Sequence, residues 1–127
     1  MYDAHLLGPQ GEKIAADYLS GKGYRILERN YRFRRNEIDI IARHRGVLCF
    51  VEVKTRSSDE KGDPLDAVTP QKQQEIIKAA KSYLFRNGGM DTDCRFDVVA
   101  VRVREMGQGR ISSFTVEHVI DAFWAAS

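Results

Sequence analysis

No stretch of this chain is apolar for anything near the roughly 20 residues that a membrane span requires. The opening Met1-Tyr-Asp-Ala-His5 also lacks the basic-then-apolar pattern of a secretory signal, so the expected location is the cytoplasm and no membrane partner is expected. Cysteine is scarce. Cys49 and Cys94 both fall among apolar residues of predicted strands, which excludes a disulfide framework and suits reduced core thiols. His5, His44 and His118 keep no zinc-ligand spacing with them, so a zinc site is not expected. A phosphate-cradling glycine loop is lacking: Gly107-Gln-Gly109 is a turn and too short for a nucleotide-binding fingerprint. There is no internal repeat, linker or low-complexity tract.

With 127 residues and 43% hydrophobic content, the chain suffices for one well-buried domain spanning residues 1–127. Pro9 to about Ser20 reads as a helix, with proline near its first turn and Gly21-Lys-Gly23 beyond its end. Tyr24 to Phe33 reads as a first strand, followed by a hairpin and then a polar, mobile loop from Ser57 to Asp63. From Pro70 to Arg86, Ile76, Ile77, Ala80, Tyr83 and Leu84 recur at helical spacing, with Thr69 as N-cap and Asn87-Gly-Gly89 as the stop. Phe96–Val103 and Arg110–Glu117 are predicted strands. His118–Ala126 is predicted to be a short packing helix, with Phe123 and Trp124 as core or interface residues.

The hairpin carries the chemistry. Glu37-Ile-Asp-Ile-Ile-Ala42 and Val47-Leu-Cys-Phe-Val-Glu-Val-Lys54 are rich in β-formers, and Arg43-His44-Arg45-Gly46 between them contains a turn glycine. If Ala42 sits opposite Val47, Asp39 lies diagonal to Glu52; a tighter turn at Arg45-Gly46 puts the two directly opposite. Either register sets both carboxylates on one sheet face, together with Lys54. One face would carry Ile38, Ile40, Val47, Cys49, Val51 and Val53, and the other Ile41, Leu48 and Phe50 beside the charges. The carboxylates then sit at the rim of a buried surface, where ionised groups are costly unless paired or bound to a cation. An ion pair of Glu52 with Lys54, or of Glu37 with an arginine, is the purely structural answer.

Glu12 has Ala15, Ala16 and Leu19 three, four and seven residues on, which puts it on the apolar stripe of the first helix, aimed at the sheet. The alternative is an exposed first-turn acid placed by the helix dipole. Net charge is only +2, but between Arg25 and Arg45 seven arginines stand against three acids, a local +4 interleaved with Tyr24, Tyr31 and Phe33. Such a cluster suits a phosphate backbone, although a solvated strand face would also use arginine. Two carboxylates that need a metal, ringed by cations that repel it, make sense when an anionic polymer lies between them.

Gly11-Glu12 with Ala15 and Tyr18-Leu19, Gly23-Tyr24, Arg29-Asn30, Glu37-Ile-Asp39, Phe50-Val-Glu-Val-Lys-Thr-Arg56, Gly62 with Pro64, Lys72 and Arg95-Phe-Asp-Val-Val99 together resemble the YraN-like family of small bacterial proteins, the UPF0102 group. The resemblance runs through nearly the whole chain. Its fold is similar to that of restriction endonucleases and archaeal Holliday-junction resolvases, which implies an α/β domain with an αβββαβ core, a mixed central sheet flanked by helices, and a small C-terminal strand and helix. It also implies that Asp39, Glu52, the backbone carbonyl of Val53 and, through water, Glu12 hold Mg²⁺, with Mn²⁺ as a substitute. Lys54 would position or deprotonate the attacking water. Arg32, Arg34, Arg35, Arg56 and Lys72 would contact nucleic acid. Asn36 departs from the family's usual glycine and Gln71 from a common basic residue; asparagine tolerates a left-handed turn, so the turn is expected to survive.

The expected function is Mg²⁺-dependent endonucleolytic hydrolysis of phosphodiester bonds in DNA, branched DNA included, leaving a 5′-phosphate. A nucleic-acid-binding module of the same fold that does not cleave is the alternative. A glycosidase would also pair carboxylates, but so small a domain offers no aromatic-lined sugar cleft and leaves Lys54 without a role. Resolvases act as dimers, and by that analogy Phe123 and Trp124 would lie near a homodimer interface.

Overall fold

The computed structural model describes residues 4–57, 59, 62–89 and 91–125. In chain order it has α1 (Ala4–Gly21), β1 (Arg25–Phe33), β2 (Asn36–His44), β3 (Val47–Ser57), a 3₁₀ turn (Pro64–Ala67), α2 (Pro70–Arg86), β4 (Cys94–Gly107) and β5 (Arg110–Phe123). The strands form one five-stranded sheet in the order β1-β2-β3-β4-β5. Only the β3–β4 pair is parallel, because α2 carries the chain back between those strands; the other three pairs are antiparallel. This is the α-β-β-β-α-β order of a nuclease-like α/β core.

Each helix covers a different set of side chains. Ala15, Ala16 and Leu19 of α1 pack on Ile40, Ala42, Cys49, Val51, Val53, Val99 and Val101. Ile76, Ile77, Ala79, Ala80 and Leu84 of α2 pack on Ile41, Leu48, Phe50, Phe96 and Val98. Both faces of β3 are therefore buried, which explains its nearly unbroken apolar run. Ile38 is the exception to strict alternation. It joins the α2-side cluster rather than Ile40's. The break falls at Asp39, where the β2–β3 ladder, running from His44↔Val47 to Ile40↔Val51, comes to its end.

Turn chemistry fixes the register. Arg45 (φ 51°) and Gly46 (φ 80°) are both left-handed, as a two-residue hairpin turn requires, so His44 pairs with Val47 and the tighter of the two expected registers is adopted. At the β1–β2 turn the left-handed residue is Arg34 (φ 59°), and Asn36 is already in the strand opposite Phe33. The turn survives, but its demand falls two residues before the departure from the family pattern. Thr69 caps α2, its hydroxyl accepting from the Lys72 N–H, and Asn87 closes it, its N–H donating to the Tyr83 carbonyl.

Three expectations are corrected. The first helix begins at Ala4, so Pro9 lies inside it, at the cost of one main-chain donor. The predicted C-terminal helix does not form: β5 continues through His118 to Phe123, because β4 runs from Cys94 to Gly107 and offers a ladder along that length. Phe123 is buried and Trp124 exposed, and Cys94, expected in the core, is exposed at the start of β4. Ser58, Glu60 and Lys61 of the expected mobile loop lie outside the described residues.

Candidate active site

Asp39 sits where β2 leaves β3. One step beyond the Ile40↔Val51 pair, it stands opposite Glu52, and its Oδ2 accepts a 2.8 Å hydrogen bond from the Val53 N–H. A side chain thus continues the ladder where the backbone has stopped. Leu48 donates to the Asp93 carbonyl ahead of β4, so by alternation the N–H and C=O of Val53, five residues on, point the other way, toward β2. That carbonyl therefore faces the same edge as Asp39.

Glu52 is 4% exposed and ion-paired with Lys54, Nζ to Oε2 at 3.4 Å, while the Lys54 ammonium keeps access to solvent. The pKa of Asp39 is pushed up to about 8: burial raises it most, the Glu52 charge next, and the Val53 N–H opposes both. Hydrogen bonding to Glu52 and the Glu12 charge raise it further. Burial and the neighbouring Glu52 carboxylate thus both work against the Asp39 charge.

Glu12 approaches from α1. Its carboxyl is raised by burial first and then by Glu37, with Arg29 and a hydrogen bond from Asn30 opposing and Glu52 adding to the rise. Gly11 makes this approach possible: a Cβ there would lie 1.8 Å from Thr55 Oγ1, so only glycine lets α1 close on β3 beside Lys54. Among the described residues, no three His, Cys, Asp or Glu side chains are gathered tightly enough to form a metal cluster. The acidic centre is the Asp39–Glu52 pair, with Glu12 in its electrostatic field.

Both ion pairs that would satisfy these charges without a ligand are also present, since Arg32 Nε lies 3.1 Å from Glu37 Oε2 in addition to the Lys54–Glu52 pair. The cations named from sequence spread outward from the carboxylates. Arg34 and Arg35 form the β1–β2 turn, with the Arg34 guanidinium 5.2 Å from the Phe33 ring centre. Arg56 lies two residues beyond Lys54 and donates to the Gly62 carbonyl, and Lys72 is in the first turn of α2.

Sequence reasoning gave no role to a second polar centre. Asp97, fully buried in β4, accepts from Arg95 Nε at 2.9 Å and Nη2 at 3.1 Å, from the Asp121 N–H at 2.9 Å, and shares a 2.8 Å hydrogen bond with His118 Nε2. Burial alone would raise its pKa, but the hydrogen bonds from His118, Arg95 and Asp121 outweigh this and hold the carboxyl below the usual range. The signal was an acid inside the apolar run Phe96-Asp-Val-Val-Ala-Val101. Its distant partners, His118 and the Asp121 amide, are not legible because the segment from His118 reads as a helix.

The family UPF0102, described as an uncharacterised protein family, matches residues 11–101, a span that includes Glu12, Glu37, Asp39, Glu52 and Asp97. UPF0102 proteins of Chlorobium limicola and Prosthecochloris aestuarii are 63% and 59% identical, the first covering 97% of this chain and 95% of its own length, the second 95% of each. That of Pelobacter propionicus is 47% identical, over 91% of this chain and 81% of its own length. The chain belongs to the UPF0102 family, the YraN-like group.

Proposed function

We propose that this protein is a metal-dependent endonuclease that hydrolyses phosphodiester bonds in DNA, branched DNA included. The observation that carries the reading is the buried Asp39–Glu52 pair at the end of the β2–β3 ladder, with Lys54 beside it. A structural ion pair has no need of the second carboxylate. Burying two acids together raises the pKa of Asp39 far above its ordinary value, a cost that a divalent cation offsets.

The donors on offer are all oxygens, from Asp39, Glu52 and the Val53 carbonyl with Glu12 behind, and this set suits Mg²⁺ or Mn²⁺. When bound, such a cation lowers the pKa of a coordinated water and neutralises charge on the scissile phosphate. The Val53 N–H holds Asp39 in place. Lys54, anchored by Glu52 yet open to solvent, stabilises the charge that develops on phosphorus and orients the attacking water. Arg32, Arg34, Arg35, Arg56 and Lys72 contact the backbone of the bound strand.

The test is cleavage of labelled duplex and branched DNA with Mg²⁺ or Mn²⁺ by the parent protein, Asp39→Asn and Lys54→Ala. Metal-dependent cutting that leaves 5′-phosphate ends and is lost in both variants is expected. Cutting retained by a clean Asp39→Asn preparation would sink the assignment. A second reading, a nucleic-acid-binding module that does not cleave, draws on the Lys54–Glu52 pair, which satisfies both charges without metal. It predicts DNA binding that is indifferent to the cation.

A further inference from the structure

At the opposite end of the sheet, beside the β2–β3 turn, a cavity of about 290 Å³ is lined by Tyr18, Lys22, Tyr24, His44, Arg45, His118 and Ile120. His44 is five residues from Asp39 along β2, or roughly 17 Å at strand spacing, so this is separate from the carboxylate pair. No Asp or Glu lines it, and two of its walls are permanent cations. The C-terminal carbonyls of α1 do not oppose an anion strongly, because those of Tyr18, Leu19 and Ser20 accept from the Lys22, Gly23 and Tyr24 amides.

The histidine is held ready. Its side chain is 6% exposed, and its Nε2 is engaged by Asp97. Arg95 already balances the Asp97 charge through two hydrogen bonds, so charge balance does not explain the histidine. His118 is one of the residues that line the cavity, and with Nε2 engaged by Asp97 the ring nitrogen left for a ligand is Nδ1. Rings fix the surroundings: Tyr24 stacks on His44 at 4.0 Å and 5°, Tyr18 meets His118 edge-on at 5.7 Å, and Arg95 ties the Tyr24 hydroxyl. A rigid, aromatic, cationic cavity near the low end of small-ligand volumes suits a phosphate carried on one ring system.

We propose that this cavity binds a nucleoside monophosphate group, with the phosphate held by Lys22, Arg45 and His118 Nδ1 and the nucleoside against Tyr18 and the His44 ring, which the buried Tyr24 backs. In the complex His118 bridges Asp97 and the phosphate through its two ring nitrogens. The group can be a free nucleotide or the 5′-phosphorylated end of a strand. The proposal does not rest on the nuclease reading, and it is tested on full-length Asp39→Asn protein in metal-free buffer.

The measurement is nitrogen-15 spectroscopy of the histidine rings during titration with a nucleoside 5′-monophosphate, the nucleoside alone, and a short single strand with a 5′-phosphate or a 5′-hydroxyl. Saturable shifts of His118 and His44 with the phosphorylated probes only are expected, weakened roughly tenfold by Arg45→Glu or Lys22→Glu, as removal of a charge-assisted hydrogen bond implies. Tighter binding of the phosphorylated strand than of the free nucleotide identifies a strand end, and the reverse identifies a free nucleotide. Both variants alter exposed side chains and leave the Asp97 network intact. The proposal is overturned by absence of saturable shifts with every phosphorylated probe, by equal shifts with the unphosphorylated ones, or by binding that Arg45→Glu and Lys22→Glu leave unchanged.

Discussion

Asp39 is a residue whose folded environment works against its charge, and that has a measurable sign. Its pKa is about 8 in the folded protein, against an ordinary 3.8. Between about pH 4 and 8 the folded state keeps a proton that the unfolded chain has lost, so stability from this group is full below that window and falls as pH rises through it. Asp39→Asn carries no such charge. The variant should melt at a higher temperature than the parent at pH 8 and lose that advantage toward pH 4, as thermal unfolding across the range will show; an unchanged difference would contradict the shift. Asp97 runs the other way. Its carboxyl is held low by Arg95, His118 and the Asp121 amide, so its contribution is present above about pH 4 and lost on further acidification. Asp97→Ala leaves Arg95 without its buried partner and should cost about 3–5 kcal/mol in urea unfolding.

At the scale of elements, α1 approaches β3 closely where Gly11 meets Thr55. Gly11→Ala drives a Cβ into Thr55 Oγ1, so the Thr55 side chain or α1 must shift, at a cost of about 1–3 kcal/mol. Thr55→Ala in the same chain should recover part of this stability, and a double-mutant cycle by urea unfolding measures the coupling; additive effects would mean that the clash is not the cause. Much at this scale was legible in the sequence. The Thr69 cap, the Asn87 stop, the hairpin and the facing of Asp39 and Glu52 each follow from local rules. What was not legible depended on partners far along the chain. His118–Phe123 has no strong strand signal of its own and is drawn into β5 by the length of β4, while the extent of α1 past Pro9 overrides a local rule about proline. The role of Gly11 needed the neighbour it touches, forty-four residues away.

Over the whole molecule, cations and acids lie side by side. A net +2 conceals an arginine-rich β1–β2 region next to a buried acidic pair, and the DNA reading requires both. Arg32→Ala or Arg35→Ala should weaken DNA binding and lower the slope of log affinity against log salt by up to about 0.9 for each duplex phosphate left without its cation. A salt titration in which the slopes match the parent's would remove those arginines from the interface. On the proposed reading binding and chemistry are separable, with the arginines assigned to the first and the carboxylates to the second.

Whether Asp39, Glu52 and Val53 hold a divalent cation is central to this reading of the molecule, and it is tested most directly by titrating Mn²⁺ into isotope-labelled protein and following paramagnetic broadening of the backbone amides. Selective disappearance of the signals around Asp39, Val53 and Glu12, abolished by Asp39→Asn, is the predicted result. Signals there that stay sharp at millimolar Mn²⁺, with and without DNA, would contradict it.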